Sequence, residues 1–98
     1  MIIPQEQLSD IIIKLMNKYH AQQAILFGSY ARHEADELSD IDLLVIGGTE
    51  FRPTSIFAFA EELHQMTGKN VDVYELCEID QNSEFYRTIM QEGISIAA

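Results

Sequence analysis

Apolar residues recur at three- and four-residue spacing from Leu8 through Ile11, Ile12, Leu15 and Met16 to Tyr19. That period places all six on one face of an α-helix. Pro4 fits the first turn of this helix, where its missing N–H costs nothing. The periodicity then changes. Ala24-Ile25-Leu26-Phe27 is a short apolar run ended by Gly28, and Ile41 to Ile46 is a second run, β-branched at several positions and stopped by Gly47-Gly48; both predict buried strands. Pro53 predicts the start of a second helix with Ile56, Phe59, Ala60, Leu63 and Met66 on its inner face and Gly68 as its stop. Val71-Asp72-Val73-Tyr74 alternates as a third strand, its two valines facing one way and Asp72 the other. A third helix is expected from about Asn82 to Glu92, burying Phe85, Tyr86, Ile89 and Met90, with Gly93 ending it and Ile94 to Ile96 adding a last strand. The order is α-β-turn-β-α-β-α-β. An α/β fold follows, a small mixed sheet flanked by helices.

Composition narrows the picture. The 98 residues suit one domain, 1–98, with a single core and no linker or repeat. An apolar fraction of 47% argues against disorder. The lone cysteine, Cys77, excludes an internal disulfide framework and a cysteine-based zinc site, and is expected to be an apolar filler at a strand end. Sixteen acidic residues against six basic ones give a formal net charge of −10. The cations Lys14, Lys18, Arg32, Arg52, Lys69 and Arg87 are scattered, so long nucleic acid is a poor partner; divalent cations and a basic protein surface are better ones. No basic-then-apolar leader or run of about 18 apolar residues is present, which points away from membranes and to the cytoplasm.

The candidate chemistry lies between Gly28 and Val45. A Gly28-Ser29 turn directly after a buried strand exposes backbone N–H groups to an anion and allows a phosphate to approach closely, with the Ser29 hydroxyl as a further donor. Gly-Ser turns are also common without any ligand. Asp40 and Asp42 open the next strand one residue apart, so both point to one side of the sheet. Two carboxylates that close repel unless a cation lies between them, and hard oxygen ligands select Mg²⁺ or Mn²⁺. The plainer alternative makes Asp40 a turn residue and Asp42 a solvated edge residue, but an unpaired charge beside Leu43-Leu44-Val45-Ile46 would be costly. Asp72, set between two valines, supplies a third carboxylate if its strand lies alongside; otherwise it is an exposed edge aspartate. Three carboxylates are what a two-metal phosphoryl-transfer centre needs, two to hold the ions and one to act as base. His33 in its polar loop, and His20 and His64 at helix ends, are expected to be solvated.

In haloacid dehalogenase phosphatases and metal-dependent glycosyltransferases the Asp-x-Asp pair follows an apolar strand; here the apolar run comes after it. Gly28-Ser29, ten intervening residues and Asp40-Ile41-Asp42 instead resemble the signature of the DNA polymerase beta-type nucleotidyltransferases. The wider string, Phe27-Gly28-Ser29-Tyr30-Ala31-Arg32, Glu34-Ala35 and Ser39 to Val45, is similar to the minimal nucleotidyltransferase branch. The resemblance implies a polymerase beta-like core with Gly28 and Ser29 on the nucleotide phosphates. It implies that Asp40 and Asp42 bind both metal ions and that Asp72 completes the site and activates the acceptor hydroxyl. Arg32 matches a basic position of the motif and either touches the triphosphate or pairs outward with Glu34 or Asp36. Tyr30 and His33 depart from the branch, which often carries Arg and Gly there.

Larger members have a second lobe; this chain is expected to complete its site with a partner. The branch resembles the antitoxin of pairs whose toxin is an all-helical HEPN ribonuclease, and the resemblance implies transfer of AMP from ATP to a tyrosine of that toxin. Two functions are therefore expected. One is a Mg²⁺-dependent nucleotidyltransferase acting on a protein hydroxyl. The other is a non-catalytic antitoxin that neutralises a helical partner by contact. Transfer to a small molecule such as an aminoglycoside is disfavoured by the missing acceptor lobe.

Overall fold

The structure, a computed structural model, describes residues 2–96. Helix α1 (Gln5–Tyr19) leads into β1 (Gln23–Phe27), a single 3-10 turn at Gly28–Tyr30, and β2 (Ile41–Ile46). Then follow α2 (Ser55–Thr67), β3 (Val71–Glu75), a second 3-10 turn at Leu76–Glu78, α3 (Glu84–Glu92) and β4 (Ile94–Ile96). The four strands form one sheet in the order β3-β2-β1-β4. β1 runs antiparallel to β2 and β4, whereas β2 and β3 are parallel, as a strand–helix–strand crossover requires. The sheet is mixed and the fold is α/β, as the periodicity predicts.

Period-two alternation divides each strand between two faces. On one, Ile41, Leu43 and Val45 of β2 and Leu26 of β1 pack against Leu8, Ile12, Leu15 and Met16 of α1 and Ile56, Phe59 and Leu63 of α2. On the other, Ile25, Phe27 and Leu44 meet only Ile89 of α3 as a fully buried partner. Each large aliphatic side chain removed from water contributes about 1.5–3 kcal/mol, so the first face carries most of the stability. Gly68 ends α2 in the left-handed conformation (φ 71°) with its N–H on the His64 carbonyl at 2.7 Å. His20 (φ 62°) ends α1 the same way without being glycine.

Several details differ from expectation. Pro4 precedes the first helical residue of α1, and Pro53 stands two residues before α2. α3 begins at Glu84, where the Ser83 side chain accepts from the Tyr86 N–H and fixes the start. Met66, Phe85 and Met90 are exposed rather than core: the small second layer is too narrow to cover every apolar position on α3, and Met66 lies beyond the last covered turn of α2. Cys77 is exposed in the second 3-10 turn with its Sγ on Glu75, not an apolar filler. Among the described residues, no helix is long and apolar enough to cross a membrane.

Candidate active site

The carboxylate site grows from strand register. Asp42 is the Cα partner of Phe27 on β1 and of Asp72 on β3. Asp42 and Asp72 therefore stand side by side on adjacent strands, about 4.8 Å apart along the sheet, on the face that α1 and α2 do not cover. The apolar residues flanking each, Ile41 and Leu43 or Val71 and Val73, turn to the packed face. Asp72 is exposed and Asp42 half-buried.

Asp40 lies just before β2 and is exposed. The loop that presents it is held at both ends. Asp36 Oδ1 accepts from Leu38 N–H at 2.9 Å, and Ser39 Oγ accepts from Asp36 N–H at 2.8 Å. Behind the loop, buried Lys69 donates from Nζ to the Glu37 carbonyl at 2.7 Å, and Ile41 N–H donates to the Asn70 carbonyl at 3.0 Å. Sequence patterning gave no sign of this buried lysine; its position at the α2–β3 junction, beside the loop, explains it.

Gly28 closes the site from β1. Its φ is 76°, and a Cβ there would collide with the Asp42 carboxylate. The position demands glycine twice, for the left-handed backbone and for the close approach. The turn is held by Ala31 and Arg32 N–H groups, both donating to the Gly28 carbonyl at 3.1 Å. His33 has φ 58°, a left-handed position in an exposed loop, which gives a physical reason for glycine where the branch often has it. His20 and His64 are also exposed.

Electrostatics mark Asp42 out. Burial first, then the charges of Asp72 and Asp40 and a hydrogen bond with Asp72, lift its carboxyl from the ordinary 3.8 to about 6, with Arg32 opposing. Burial, then the charges of Asp72 and Asp42, push the Tyr74 phenol up. Tyr74, Phe27 and Phe85 form an aromatic wall on this face, with ring centroids 5.4 to 6.2 Å apart.

Among the expected site residues, Gly28, Asp42 and Asp72 are brought together, and Ser29 stands in the same turn. Asp40 acts on Asp42 through its charge, but among the described residues no three carboxylate, imidazole or thiol groups are gathered closely enough to enclose a metal ion. Arg32 pairs with Glu34 at 3.3 Å, as one expectation had it, and also with Glu92 at 2.9 Å; no pair with Asp36 forms. Glu92 was not foreseen. A groove of 270 Å³ adjoins Asp72 at the free edge of β3, lined by Ile56, Phe57, Ala60 and Glu78. A larger cavity of 410 Å³ lies at the far end of β2, around Gly47, Phe51, Leu76 and Cys77, and holds none of the site aspartates.

A glycine turn pressed on one aspartate, itself paired across the sheet with a second, gives Gly28-Ser29 and Asp42 of the signature their place in the fold. Residues 9–98 match the family model described as polymerase beta, nucleotidyltransferase. The chain belongs to that family. It is an enzyme domain of the nucleotidyltransferase type. Two Methanocaldococcus jannaschii proteins named "Putative protein adenylyltransferase" are similar to it. One is 42% identical over 62 residues, covering 63% of this chain and 67% of the relative. The other is 30% identical over 95 residues, covering 91% and 93%. Among solved structures, one described as a "putative minimal nucleotidyltransferase" superposes with a TM-score of 0.77 at 25% identity, covering 94% of this chain and 95% of that one. A toxin–antitoxin structure with AMP-PNP gives 0.76 at 23% identity, covering 90% and 71%. A complex of tri-AMPylated Shewanella oneidensis HEPN toxin with its MNT antitoxin gives 0.72 at 22%, covering 95% and 71%. The last two likenesses are of fold. This nucleotidyltransferase thus has the architecture of the minimal nucleotidyltransferase antitoxins.

Proposed function

We propose that residues 1–98 act as one minimal nucleotidyltransferase domain that transfers AMP from ATP to a hydroxyl of a partner protein, as the antitoxin of a HEPN-type ribonuclease toxin in the cytoplasm. The observation that carries this is the pairing of Asp42 with Asp72 under the Gly28 turn. Similarity to proteins named adenylyltransferases supports the reaction, and the fold shared with antitoxins bound to HEPN toxins supports the partner.

The donor set fits a divalent cation, because Asp42, raised to about 6 by burial and then by the charges of Asp72 and Asp40, is relieved by positive charge. Asp40, Asp42 and Asp72, which do not enclose an ion by themselves, would hold two Mg²⁺ ions, or Mn²⁺, together with phosphate oxygens of the nucleotide, and the ions would neutralise charge on the triphosphate and on departing pyrophosphate. Ser29 donates to the phosphates from its hydroxyl, while Gly28 keeps the backbone flat against Asp42. The acceptor hydroxyl enters beside Asp72 from the β3-edge groove. Its oxygen bonds to the α-phosphorus, the bond from that phosphorus to the bridging oxygen of pyrophosphate breaks, and the hydroxyl proton passes to Asp72.

The test is incubation of the chain with α-labelled ATP, Mg²⁺ and a HEPN partner protein. Label on the partner, lost in D40A/D42A, is expected. Equal labelling by wild type and the double variant would refute catalysis here, and full neutralisation of the partner by an inactive variant would assign the function to contact alone.

A further inference from the structure

We propose that Glu92 is a positioning residue for the triphosphate, acting through Arg32 and the Gly28 turn. This rests on the assignment of the Asp42 site to a nucleotide. The carboxylate of Glu92 is used at both oxygens. Oε1 accepts from the Gly28 N–H at 3.3 Å and Oε2 accepts from Arg32 Nη1 at 2.9 Å. These contacts span 64 and 60 residues of sequence and join the end of α3 to the turn after β1.

The backbone under Glu92 has little freedom. Gly93 N–H donates to the Ile89 carbonyl at 2.8 Å, and a Cβ on Gly93 would run into Ile25, so the helix end lies directly against β1. One residue later β4 begins, and it pairs with β1 from Leu26 to Ala24. Glu92 is thus held by a packed junction, and its side chain is only 20% exposed.

Arg32 lacks any such support of its own. Its other partner, Glu34, is 64% exposed and two residues away in the same loop, a pairing that by itself holds a guanidinium weakly. Glu92 therefore decides where the guanidinium sits. From there Arg32 shares the Glu92 carboxylate with Gly28, the residue pressed on Asp42, so its charge stands at the rim of the site. The other cations with contacts are engaged elsewhere: Lys18 with Glu62, Lys69 with loop carbonyls, Arg87 with the Asn82 carbonyl. In a chain of net charge −10, Arg32 is a cation placed beside the Gly28 turn, where a triphosphate would lie. Nη1 and Nε are taken by carboxylates, which leaves Nη2 to donate to phosphate. Because Glu92 occupies the Gly28 N–H, the phosphate donors of the turn begin at Ser29.

Titration of the full chain with ATP and Mg²⁺ by calorimetry tests this, using wild type, E92Q, R32A and the double variant. E92Q and R32A should each weaken ATP about tenfold, and the double variant should bind no worse than R32A. A purely structural Glu92 would shift the melting temperature without that coupling, and I89V serves as the control that loosens α3 without touching Arg32. E92D, which keeps the charge with a shorter reach, should recover part of the affinity and serves the same cycle if E92Q does not fold. Tighter ATP binding by E92Q would mean that Glu92 competes with phosphate, and multiplying losses in the double variant would mean independent roles; either overturns the proposal. Wild type that binds ATP while E92Q binds equally well sinks the Glu92 role alone. Wild type that fails to bind ATP sinks the nucleotide assignment as well.

Discussion

The two faces of the sheet are made from the same strands and do opposite work. Leu43 and Asp42 are consecutive in β2, yet Leu43 is fully buried between α1 and α2 while Asp42 faces a half-covered surface shared with Asp72. Two helices close the first face. On the second, α3 has only nine residues and contributes one fully buried side chain, Ile89. A short helix leaves the carboxylate end of the face open to a ligand, at the cost of leaving Phe85 and Met90 exposed. One face therefore holds stability and the other carries the proposed chemistry, and neighbouring substitutions separate them.

The sharpest contrast is Asp42→Asn against Leu43→Ala. Asp42→Asn is expected to reduce AMP transfer about a thousandfold, since it removes the charge at the centre of the proposed phosphoryl-transfer site, while the fold survives. Leu43→Ala should cost about 3 kcal/mol of stability, measured by urea denaturation, and leave the turnover of the remaining folded protein near wild type. If Leu43→Ala abolished transfer in fully folded protein, or Asp42→Asn unfolded the chain, the division between the faces would be wrong.

Gly28→Ala should blur the contrast, because Gly28 belongs to both structure and site. The added methyl group meets the Asp42 carboxylate in a left-handed backbone, so about 2 kcal/mol of stability should go, together with most of the activity. This residue also shows what the sequence made legible. A glycine ending an apolar run and two aspartates separated by one residue are local signals, and strand alternation suffices to aim Asp42 and Asp72 at one face, whereas Asp40 falls in the loop just before β2 and not in the strand. Glu92 and Lys69 left no such signal. Glu92 reaches Gly28 only because β4 returns along β1, and Lys69 is buried only because the 36–39 loop lies over it. Met66, Phe85 and Met90 carried the right period for core positions, but periodicity does not report how far the opposing layer extends. Cys77 is exposed for a related reason, since apolar chemistry alone does not bury a residue in an edge turn.

A smaller effect is expected from pH. The Asp42 carboxyl is raised from 3.8 to about 6 in the fold, so the folded state binds the proton more tightly than the unfolded chain. Its contribution to stability is fully present below about pH 4 and is lost as pH rises through 6. Undamped, such a shift corresponds to about 3 kcal/mol; with the carboxylate half in solvent, about 1 kcal/mol is expected. Asp42→Asn should be the more stable protein at pH 7, and its advantage should vanish near pH 4. Mg²⁺ should raise the melting temperature of wild type at pH 7 and leave that of Asp42→Asn little changed. A wild-type stability that rises between pH 4 and 6 relative to the variant would show that burial and the neighbouring carboxylates do not raise Asp42.

The smallest effect tests the packed face at a buried, unpartnered hydroxyl. Tyr30 is buried against the α1 side of the sheet, and its hydroxyl has no hydrogen-bond partner among the described residues. On the open face an unsatisfied polar group is an opportunity for a ligand; on the closed face it is only a desolvation cost, of about 1–3 kcal/mol for a hydroxyl with no partner. Tyr30→Phe keeps the ring and deletes that atom, so stability should stay unchanged or rise by up to about 1 kcal/mol, with AMP transfer unaffected. Its position in the 3-10 turn beside Ser29 makes this a strict control, because a hydroxyl that took part in phosphate binding would show itself as lost activity. Should Tyr30→Phe instead destabilise the fold by more than 1 kcal/mol, the hydroxyl has a bound water as its partner, and the closed face is less dry than its packing implies.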